Sequence, residues 1–261
     1  MKNALLVIDP QNDFCVPGAS LYVPDAEKDM QRLADWIRKY SAEISHIQFT
    51  ADWHSENNIS LPAFWVDSQG CNPKPYTIVS LDDVLKKRWI PIDGNFSLVE
   101  NYLSQLSKNG KQHTIWPKHC IANSNGAKFF EPLNAAVDRW KKLSNDHSFA
   151  VTYKGTCQNT EHFGAFMAEV VYDDAPETKF NDELATFLGG FDNIFVAGEA
   201  QSHCVANSVA QIVAFCPVLC SKLKILVDCM SPVKGFEHSA DEIFVQAEKL
   251  GAKLINHDKS F

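Results

Sequence analysis

The sequence has no long apolar run, no basic cluster and no closely paired cysteines. No stretch approaches the ~18 apolar residues of a transmembrane helix. A net charge of -8 without a Lys/Arg-rich run argues against nucleic acid and anionic membranes as partners. The eight cysteines are irregularly spaced and include no Cys-x-x-Cys pair, which favours reduced thiols over a disulfide framework. We therefore expect a cytoplasmic protein with no nucleic-acid or membrane partner.

Short apolar runs alternate with longer amphipathic segments along the chain, and no internal repeat is present. Near-continuous apolar runs are typical of strands that are buried on both faces of a parallel sheet. The first run is interpreted as a strand and not as a signal peptide, because it is short and lacks a small-residue cleavage site. The predicted strands are residues 4–8, 44–50, 149–153, 193–197, 223–227 and 253–256.

Helical periodicity fills most intervals between these strands. Residues 25–40 place Met30, Leu33 and Ile37 on one side, with Asp25 as the N-cap. The other predicted helices are residues 96–107, 129–143, 160–171, 181–188, 204–216 and 240–250. This alternation predicts an α/β fold with a doubly wound, mostly parallel sheet flanked by helices on both faces. At 261 residues the chain is expected to form a single domain, residues 1–261.

Residues 62–113 interrupt the alternation. This segment contains four of the twelve prolines and the run DSQGCNPKP. It is short for an independent core. We therefore predict an insertion that packs on the main domain.

Polar and reactive side chains follow four of the predicted strands. Asp9 follows the first strand, Asp52 and His54 follow the second, Lys154 follows the third, and Cys204 lies just beyond the fourth. Open α/β sheets bind ligands outside the carboxyl ends of their strands. Taken singly, each residue also has a structural interpretation as a turn residue, a solvated lysine or a buried small hydrophobe. Their common position at one sheet edge favours a site.

An aspartate, a lysine and a cysteine in one cleft suit acyl transfer. A helix N-terminus and a nearby ammonium both favour the thiolate form of Cys204, and the carboxylate of Asp9 could carry the thiol proton to a leaving amine. Backbone N–H groups of Cys204 and of the 199–201 turn could hold an oxyanion. Separately, Asp52, His54 and His119 are ligand types that suit Zn²⁺ or Fe²⁺, although an Asp-x-His pair alone is a weak signal.

Five motifs, LLVIDPQNDF, TADWHSENNIS, WPKHC, YKG and GEAQSHCV, occur in the order found in the isochorismatase-like cysteine hydrolases. Within that superfamily the chain resembles the nicotinamidase/pyrazinamidase family over residues 4–227, apart from the 62–113 insertion. The resemblance implies hydrolysis of a small-molecule amide, nicotinamide, to nicotinate and ammonia, a reaction of NAD salvage. Members of the family often form homo-oligomers, and the sequence itself indicates no interface.

The resemblance also assigns roles to individual residues. It implies that Cys204 is the nucleophile, that Asp9 moves protons and that Lys154 stabilises the thiolate. It places a cis peptide at Glu199–Ala200 and an oxyanion hole at the N–H groups of Ala200 and Cys204. Three ligands for a divalent metal, Zn or Fe, match Asp52, His54 and His119, and two aromatic residues that hold the substrate ring match Phe14 and Trp116.

Two positions depart from the family pattern. Asn58 stands where a second histidine is expected, and an amide oxygen is a weaker ligand for Zn²⁺ than imidazole. The sequence therefore leaves open a metal with three protein ligands and water, a weaker site that includes Asn58, or no metal. Glu199 stands where small apolar residues are commoner. The alternative functions are another amide or carbamoyl hydrolase of the same superfamily, or a catalytically inactive binding protein on the same fold.

Overall fold

A sheet of six parallel strands forms the centre of the protein. The computed structural model describes residues 1–259. Its six central strands are β1 (Asn3–Ile8), β2 (Ile44–Asp52), β7 (Ser148–Lys154), β8 (Asn193–Gly198), β9 (Leu223–Leu226) and β10 (Lys253–Ile255). The short strands β3 (Trp65–Val66), β4 (Ile78–Val79), β5 (Ile90–Pro91) and β6 (His113–Thr114) form two separate pairs. The central sheet has the order β10-β9-β8-β1-β2-β7, and all its strand pairs are parallel. The doubly wound α/β fold is thus confirmed, and each central strand ends within two residues of its predicted bounds.

Helices cover both faces of this sheet. They are α1 (Asn12–Cys15), α2 (Ala26–Lys39), α3 (Leu81–Leu85), α4 (Phe96–Lys108), α5 (Glu131–Lys141), α6 (Asp182–Gly189), α7 (Ala206–Phe215) and α8 (Asp241–Lys249). Leu5 and Val7 of β1 pack with α2 and α5, whereas Leu6 and Ile8 pack with α6, α7 and α8. Because successive strand side chains point to opposite faces, the continuous apolar run of β1 serves two separate cores.

The predicted helix at residues 160–171 is wrong, because the structure has no helix there. The N–H of Ala165 donates to Ser208 Oγ at 2.9 Å, and the N–H of Phe166 donates to Gln211 Oε1 at 2.9 Å. Both acceptors are side-chain oxygens of α7, so tertiary hydrogen bonds replace the i→i−4 backbone bonds that a helix would form. The segment is an irregular strap across α7.

The predicted helix at residues 204–216 begins earlier than expected and in a different form. A π-helical turn spans Gln201–Val205, and α7 follows it directly. Cys204 therefore lies inside a widened turn and not at the first residue of a regular helix. Such turns often occur at functional sites.

The 62–113 segment has an apolar cluster of its own. In it β3 pairs with β5, and β4 pairs with β6, which begins at the last residue of the segment. Trp65, Tyr102 and Leu106 lie in a buried cluster that also includes Val170 of the main body. Lys111 forms an ion pair with Glu169. Both contacts tie the segment to the 160–171 strap. Within residues 1–259, no helix is long and apolar enough to span a bilayer.

Candidate active site

Four reactive side chains converge at the carboxyl edge of the central sheet. Asp9 follows β1, Asp52 ends β2, Lys154 ends β7, and Cys204 lies in the π-helical turn after β8. All four are buried, with at most 6% of their surface exposed. The chain runs from β1 outward to β2 and β7 and later returns to β8 on the other side of β1. This edge is therefore the topological switch point, where α/β sheets bind their ligands.

Lys154 connects the other three. Its Nζ lies 2.9 Å from Asp9 Oδ2 and 2.6 Å from Asp52 Oδ1, donates to the carbonyl of His162 at 2.9 Å and lies 3.8 Å from Cys204 Sγ. Asp52 Oδ1, the His162 carbonyl and Cys204 Sγ accept hydrogen bonds from the three donors of the ammonium group, and Asp9 is its second ion-pair partner. The cation is fixed at the centre of the cluster.

Asp9 is held by Thr50, the neighbouring residue on β2. Thr50 Oγ1 accepts from the N–H of Asp9 at 3.0 Å and donates to Asp9 Oδ1 at 2.6 Å. Asp9 has φ of +44°, a left-handed conformation that costs a non-glycine residue about 1–2 kcal/mol. The two Thr50 bonds stabilise it, and a carboxyl oxygen of Asp9 lies within 4.8 Å of Cys204 Sγ. A proton acceptor therefore lies beside the candidate nucleophile.

Burial and charge act in opposite directions on this cluster. Burial raises the pKa of the Cys204 thiol well above its ordinary range, while the Lys154 ammonium opposes that rise. Burial likewise raises the pKa of Asp9, again against Lys154. Burial would neutralise Lys154 itself, but Asp52 and Asp9 outweigh it and raise its pKa well above the usual value. Lys154 therefore stays charged and is the source of thiolate stabilisation.

A glycine sets the course of the chain between β8 and Cys204. Gly198 has φ of +120°, and a Cβ there would lie 2.1 Å from the carbonyl oxygen of Ile8, so no other residue fits. The next peptide, Glu199–Ala200, is cis, at the position that the family resemblance implies. The carbonyl of Ala200 accepts from the N–H groups of His203 and Val205, each at 3.1 Å, which closes the turn that carries Cys204.

Asp52, His54 and His119 form a compact group of ligand atoms beside this cluster. Asp52 Oδ2 lies 3.7 Å from His54 Nε2 and 3.8 Å from His119 Nε2, and the three ligand atoms lie within 4.8 Å of one another. All three residues are buried. Gly155, with φ of +71°, lets His54 approach, since a Cβ would lie 2.5 Å from the His54 ring.

The hydrogen bonds of the two histidines suit a metal ion. His119 Nδ1 lies 2.7 Å from the carbonyl of Pro117, and His54 Nδ1 lies 3.2 Å from that of Gly155. A carbonyl partner fixes the proton on Nδ1, so the lone pair of each Nε2 faces Asp52. His54 Nε2 is buried without a hydrogen-bond partner in the described part of the chain, and burial lowers the pKa of His119 to about 4. The group could therefore hold a divalent metal ion.

Asn58 does not join this group. Its Oδ1 accepts from both the N–H and the hydroxyl of Ser60, at 3.0 and 2.8 Å, and its Nδ2 is directed at the carbonyls of Gly155 and Cys157. An oxygen with two donors is a poor candidate for a metal ligand. Asn58 instead links the loop after β2 to the loop after β7.

A narrow apolar pocket opens onto Cys204 and Asp52. Phe14 and Trp116, the two predicted ring contacts, both line it, together with Leu21, Val23, His119, Glu161, Phe163, Ala200, His203 and Val233. Phe14 contacts His119 with ring centroids 5.6 Å apart, and Trp116 contacts His203 at 5.2 Å. The pocket suits a flat aromatic ligand with a polar group directed at the sheet edge.

The sequence reasoning missed several residues of the site. Gln11 Nε2 donates to the carbonyl of Asp52, and Gln11 Oε1 accepts from its N–H, each at 2.8 Å. Thr50, Glu161 and Phe163 were also missed. Gln11 stands within the DPQND run and Thr50 two residues before Asp52, so both lie in or beside the motifs and could have been found from the sequence. Glu161 and Phe163 belong to the strap that was predicted as a helix, where no pattern indicated a pocket.

Comparison with known proteins agrees with this geometry. No protein-family model matches the chain. It is 27% identical to a nicotinamidase of Escherichia coli over 256 residues, covering 96% of this chain and 93% of that protein. It is 24% identical to a nicotinamidase of Saccharomyces cerevisiae over 253 residues, covering 97% of each.

Solved structures show the same fold. A yeast nicotinamidase bound to the inhibitor nicotinaldehyde superposes with a TM-score of 0.66 at 17% identity, over 98% of this chain and all of that one. A Pyrococcus horikoshii pyrazinamidase in complex with zinc gives 0.56 at 20% identity, over 97% and 98%. An isochorismatase-family protein of Desulfovibrio vulgaris gives 0.52 at 16%, over 98% and 94%.

The protein therefore has the isochorismatase-like α/β fold, and the resemblance inferred from its motifs is confirmed. Within that class, the chain is similar over nearly its whole length to nicotinamidases of bacteria and yeast.

Proposed function

We propose that the protein is a cysteine amidohydrolase that converts nicotinamide to nicotinate and ammonia. The observation that carries the proposal is the buried contact of Asp9, Lys154 and Cys204 at the base of an aromatic pocket. The full-length similarity to nicotinamidases supports the substrate. The pocket excludes bulk water from the thiol, which strengthens the electrostatic effect of Lys154.

In the proposed first step, Cys204 Sγ attacks the carboxamide carbon as its proton passes to Asp9. Lys154 stabilises the forming thiolate, and the N–H groups of Ala200 and Cys204 hold the oxyanion. Asp9 then gives the proton to the leaving nitrogen, so ammonia departs and a thioester remains. Water attacks the thioester with Asp9 as the base, which releases nicotinate and restores the thiol.

Phe14 and Trp116 would hold the pyridine ring between them. Asp52, His54 and His119 would hold a divalent ion, and the imidazole and carboxylate donors suit Zn²⁺ or Fe²⁺. When bound, the ion would supply a Lewis acid for the ring nitrogen of the substrate. Asn58 is left out of this proposed ligand set because Ser60 occupies its oxygen.

The test is ammonia release by the purified, metal-supplemented protein with nicotinamide, pyrazinamide and a set of carbamoyl compounds. We expect release from nicotinamide or pyrazinamide and none from C204A. C220A is the matched control, because Cys220 is equally buried but lies before β9, at the opposite edge of the sheet. Ammonia release from a carbamoyl compound alone would mean that the substrate is a carbamoyl compound and not nicotinamide. No release from any of these compounds would overturn the proposed function.

We also propose that residues 1–261 act as one domain, with 62–113 as an insertion. The shared apolar cluster and the Lys111–Glu169 ion pair support this assignment. The last two residues of that range lie outside the described part of the chain. A cytoplasmic location is proposed because all eight cysteines are free, and disulfides are rare in the reducing cytosol.

A further inference from the structure

The proposed reaction leaves two buried acidic side chains without a role. Glu199, the residue that departs from the family pattern, is fully buried directly before Ala200, and Asp29 of α2 is 5% exposed. Both carboxyl groups accept a hydrogen bond from Ser231, Glu199 from its N–H and Asp29 from its hydroxyl, and the charge of Asp29 raises the pKa of Glu199. When two carboxylates share a buried site, the pKa of one of them is strongly raised, so one of this pair is expected to carry a proton.

The surrounding donors indicate which one. Arg32 donates to Asp29 Oδ1 at 2.8 Å, and the hydroxyl of Ser231 donates to Asp29 Oδ2 at 2.5 Å. Glu199 receives a single bond, from the N–H of Ser231 to Oε2 at 3.1 Å. Its Oε1 has no donor within residues 1–259. The charges that act on Glu199 are those of Asp29 and, further away, Glu27, while Arg32 faces Asp29 and the thiol of Cys15 is nearby.

One proton on Glu199 Oε1 accounts for every atom of this arrangement. Asp29 remains ionised beside Arg32, and Glu199 donates its O–H to Asp29 while accepting from Ser231. Burial, followed by the Asp29 charge, raises the pKa of Glu199 well above its usual value. The pair and Arg32 then carry no net charge.

Glu199 is also joined to the turn that leads to Cys204. Its N–H donates to the carbonyl of Ile8 at 2.8 Å, and the N–H of Gln201 donates to the carbonyl of Ser231 at 2.8 Å. The bond from Ser231 to the Glu199 side chain closes the same ring of contacts. Ala200 lies between the two anchored residues and is thereby held at the base of the pocket.

We propose that Glu199, kept neutral by a proton shared with Asp29, is a positioning residue that holds the Ala200 N–H on the substrate oxygen. The proposal rests on the proposed amidase function for its kinetic consequence, but the shared proton can be tested without substrate. Glu199 acts through the Ser231 loop and the backbone of the turn, and it does not touch the substrate.

Infrared difference spectroscopy of wild type against E199Q tests the proton directly. We expect the carbonyl stretch of a neutral carboxyl group in the wild type from about pH 6 to about pH 8, where a free glutamate is ionised, and its loss in E199Q. An ionised carboxylate signal in its place would overturn the shared proton. This result does not depend on the substrate, so it stands even if nicotinamide is not hydrolysed.

Kinetics test the positioning role. E199Q keeps a donor to Asp29 and an acceptor for Ser231, so we expect kcat within about threefold of wild type. E199L removes both, and we expect kcat to fall about 10-fold or more with KM nearly unchanged, because an oxyanion donor contributes about 100- to 1000-fold. Binding of nicotinaldehyde, whose thiol adduct needs the same N–H, should weaken in parallel.

T178V serves as the control, because it removes a buried hydroxyl bonded to Tyr172 and Ala175, away from the turn. A folded E199L with wild-type kcat, or an E199Q as impaired as E199L, would overturn the positioning role. If E199L does not fold, the infrared result and the kcat of E199Q decide the proposal. Failure of wild type to hydrolyse any amide would instead overturn the proposed function.

Discussion

Replacement of Lys154 by methionine tests the electrostatic basis of the site. The substitution keeps the length and burial of the side chain but removes the ammonium that lies 3.8 Å from Cys204 Sγ. At that distance, Coulomb's law with an effective dielectric constant of ~20 gives about 4 kcal/mol between ammonium and thiolate. Since 1.4 kcal/mol corresponds to a factor of ten, the thiolate population at neutral pH should fall roughly a thousandfold.

The assay is alkylation by iodoacetamide, followed site by site by peptide mass spectrometry. Cys71 is exposed and far from the site in the insertion, so its rate is an internal reference in the same sample. We expect Cys204 of K154M to react at least about 100-fold more slowly than in wild type, relative to Cys71. A change below about threefold would refute the claim that Lys154 stabilises the thiolate.

K154M should also have a lower free energy of unfolding than wild type. Without the cation, Asp9 and Asp52 remain as buried carboxylates with no ammonium between them, and removal of one partner from a buried pair costs about 3–5 kcal/mol. The double variant D9N/K154M removes one of these charges, so its free energy of unfolding in urea should exceed that of K154M. Equal stability of the two variants would contradict the charge argument, while both should remain inactive.

Two further predictions concern the metal group and the insertion. H54A and H119A should each lower zinc affinity in calorimetric titration by at least about 100-fold. N58A should change the zinc affinity less than about threefold, because Ser60 donates to the Asn58 oxygen. A loss of affinity in N58A equal to that in H54A would place Asn58 among the ligands. Burial lowers the pKa of His113, in the insertion core, to about 4, so the unfolded state binds more protons than the folded state between pH ~6.5 and ~4. The stability that the neutral, buried His113 contributes is therefore present above pH ~6.5 and is lost as the pH falls. The free energy of unfolding of wild type, relative to that of H113Q, should decrease by about 2 kcal/mol from pH ~7 to ~5. A difference that does not change with pH would contradict the neutral buried state of His113.

The central sheet was predictable from sequence because its strands are buried on both faces and read as continuous apolar runs. The helix predicted at residues 160–171 failed for the converse reason. Its periodic apolar residues do become buried, but Ser208 and Gln211 of α7 supply the acceptors for its N–H groups. A local pattern reports burial, and it does not report which distant side chain will satisfy the backbone.

The candidate site shows the same division. Motif order and position after a strand indicated Asp9, Asp52, Lys154 and Cys204, and the structure brings them together. Glu161 and Phe163 reach the same pocket from an irregular segment, and no spacing rule connects them to a strand end. Their chemistry is unremarkable in sequence until the strap is folded across α7.

The sequence by itself determined the layering of the protein and the edge of the sheet at which chemistry can occur. Both depend on short-range features, the apolar period of each strand and the polar residue that follows it. The tertiary structure decided the partners: Lys154 between two carboxylates, Asn58 bonded to Ser60, and Glu199 against Asp29. These contacts join residues that are in most cases far apart in the chain, and in a buried site the partner decides whether a group is charged, neutral or free to bind a ligand.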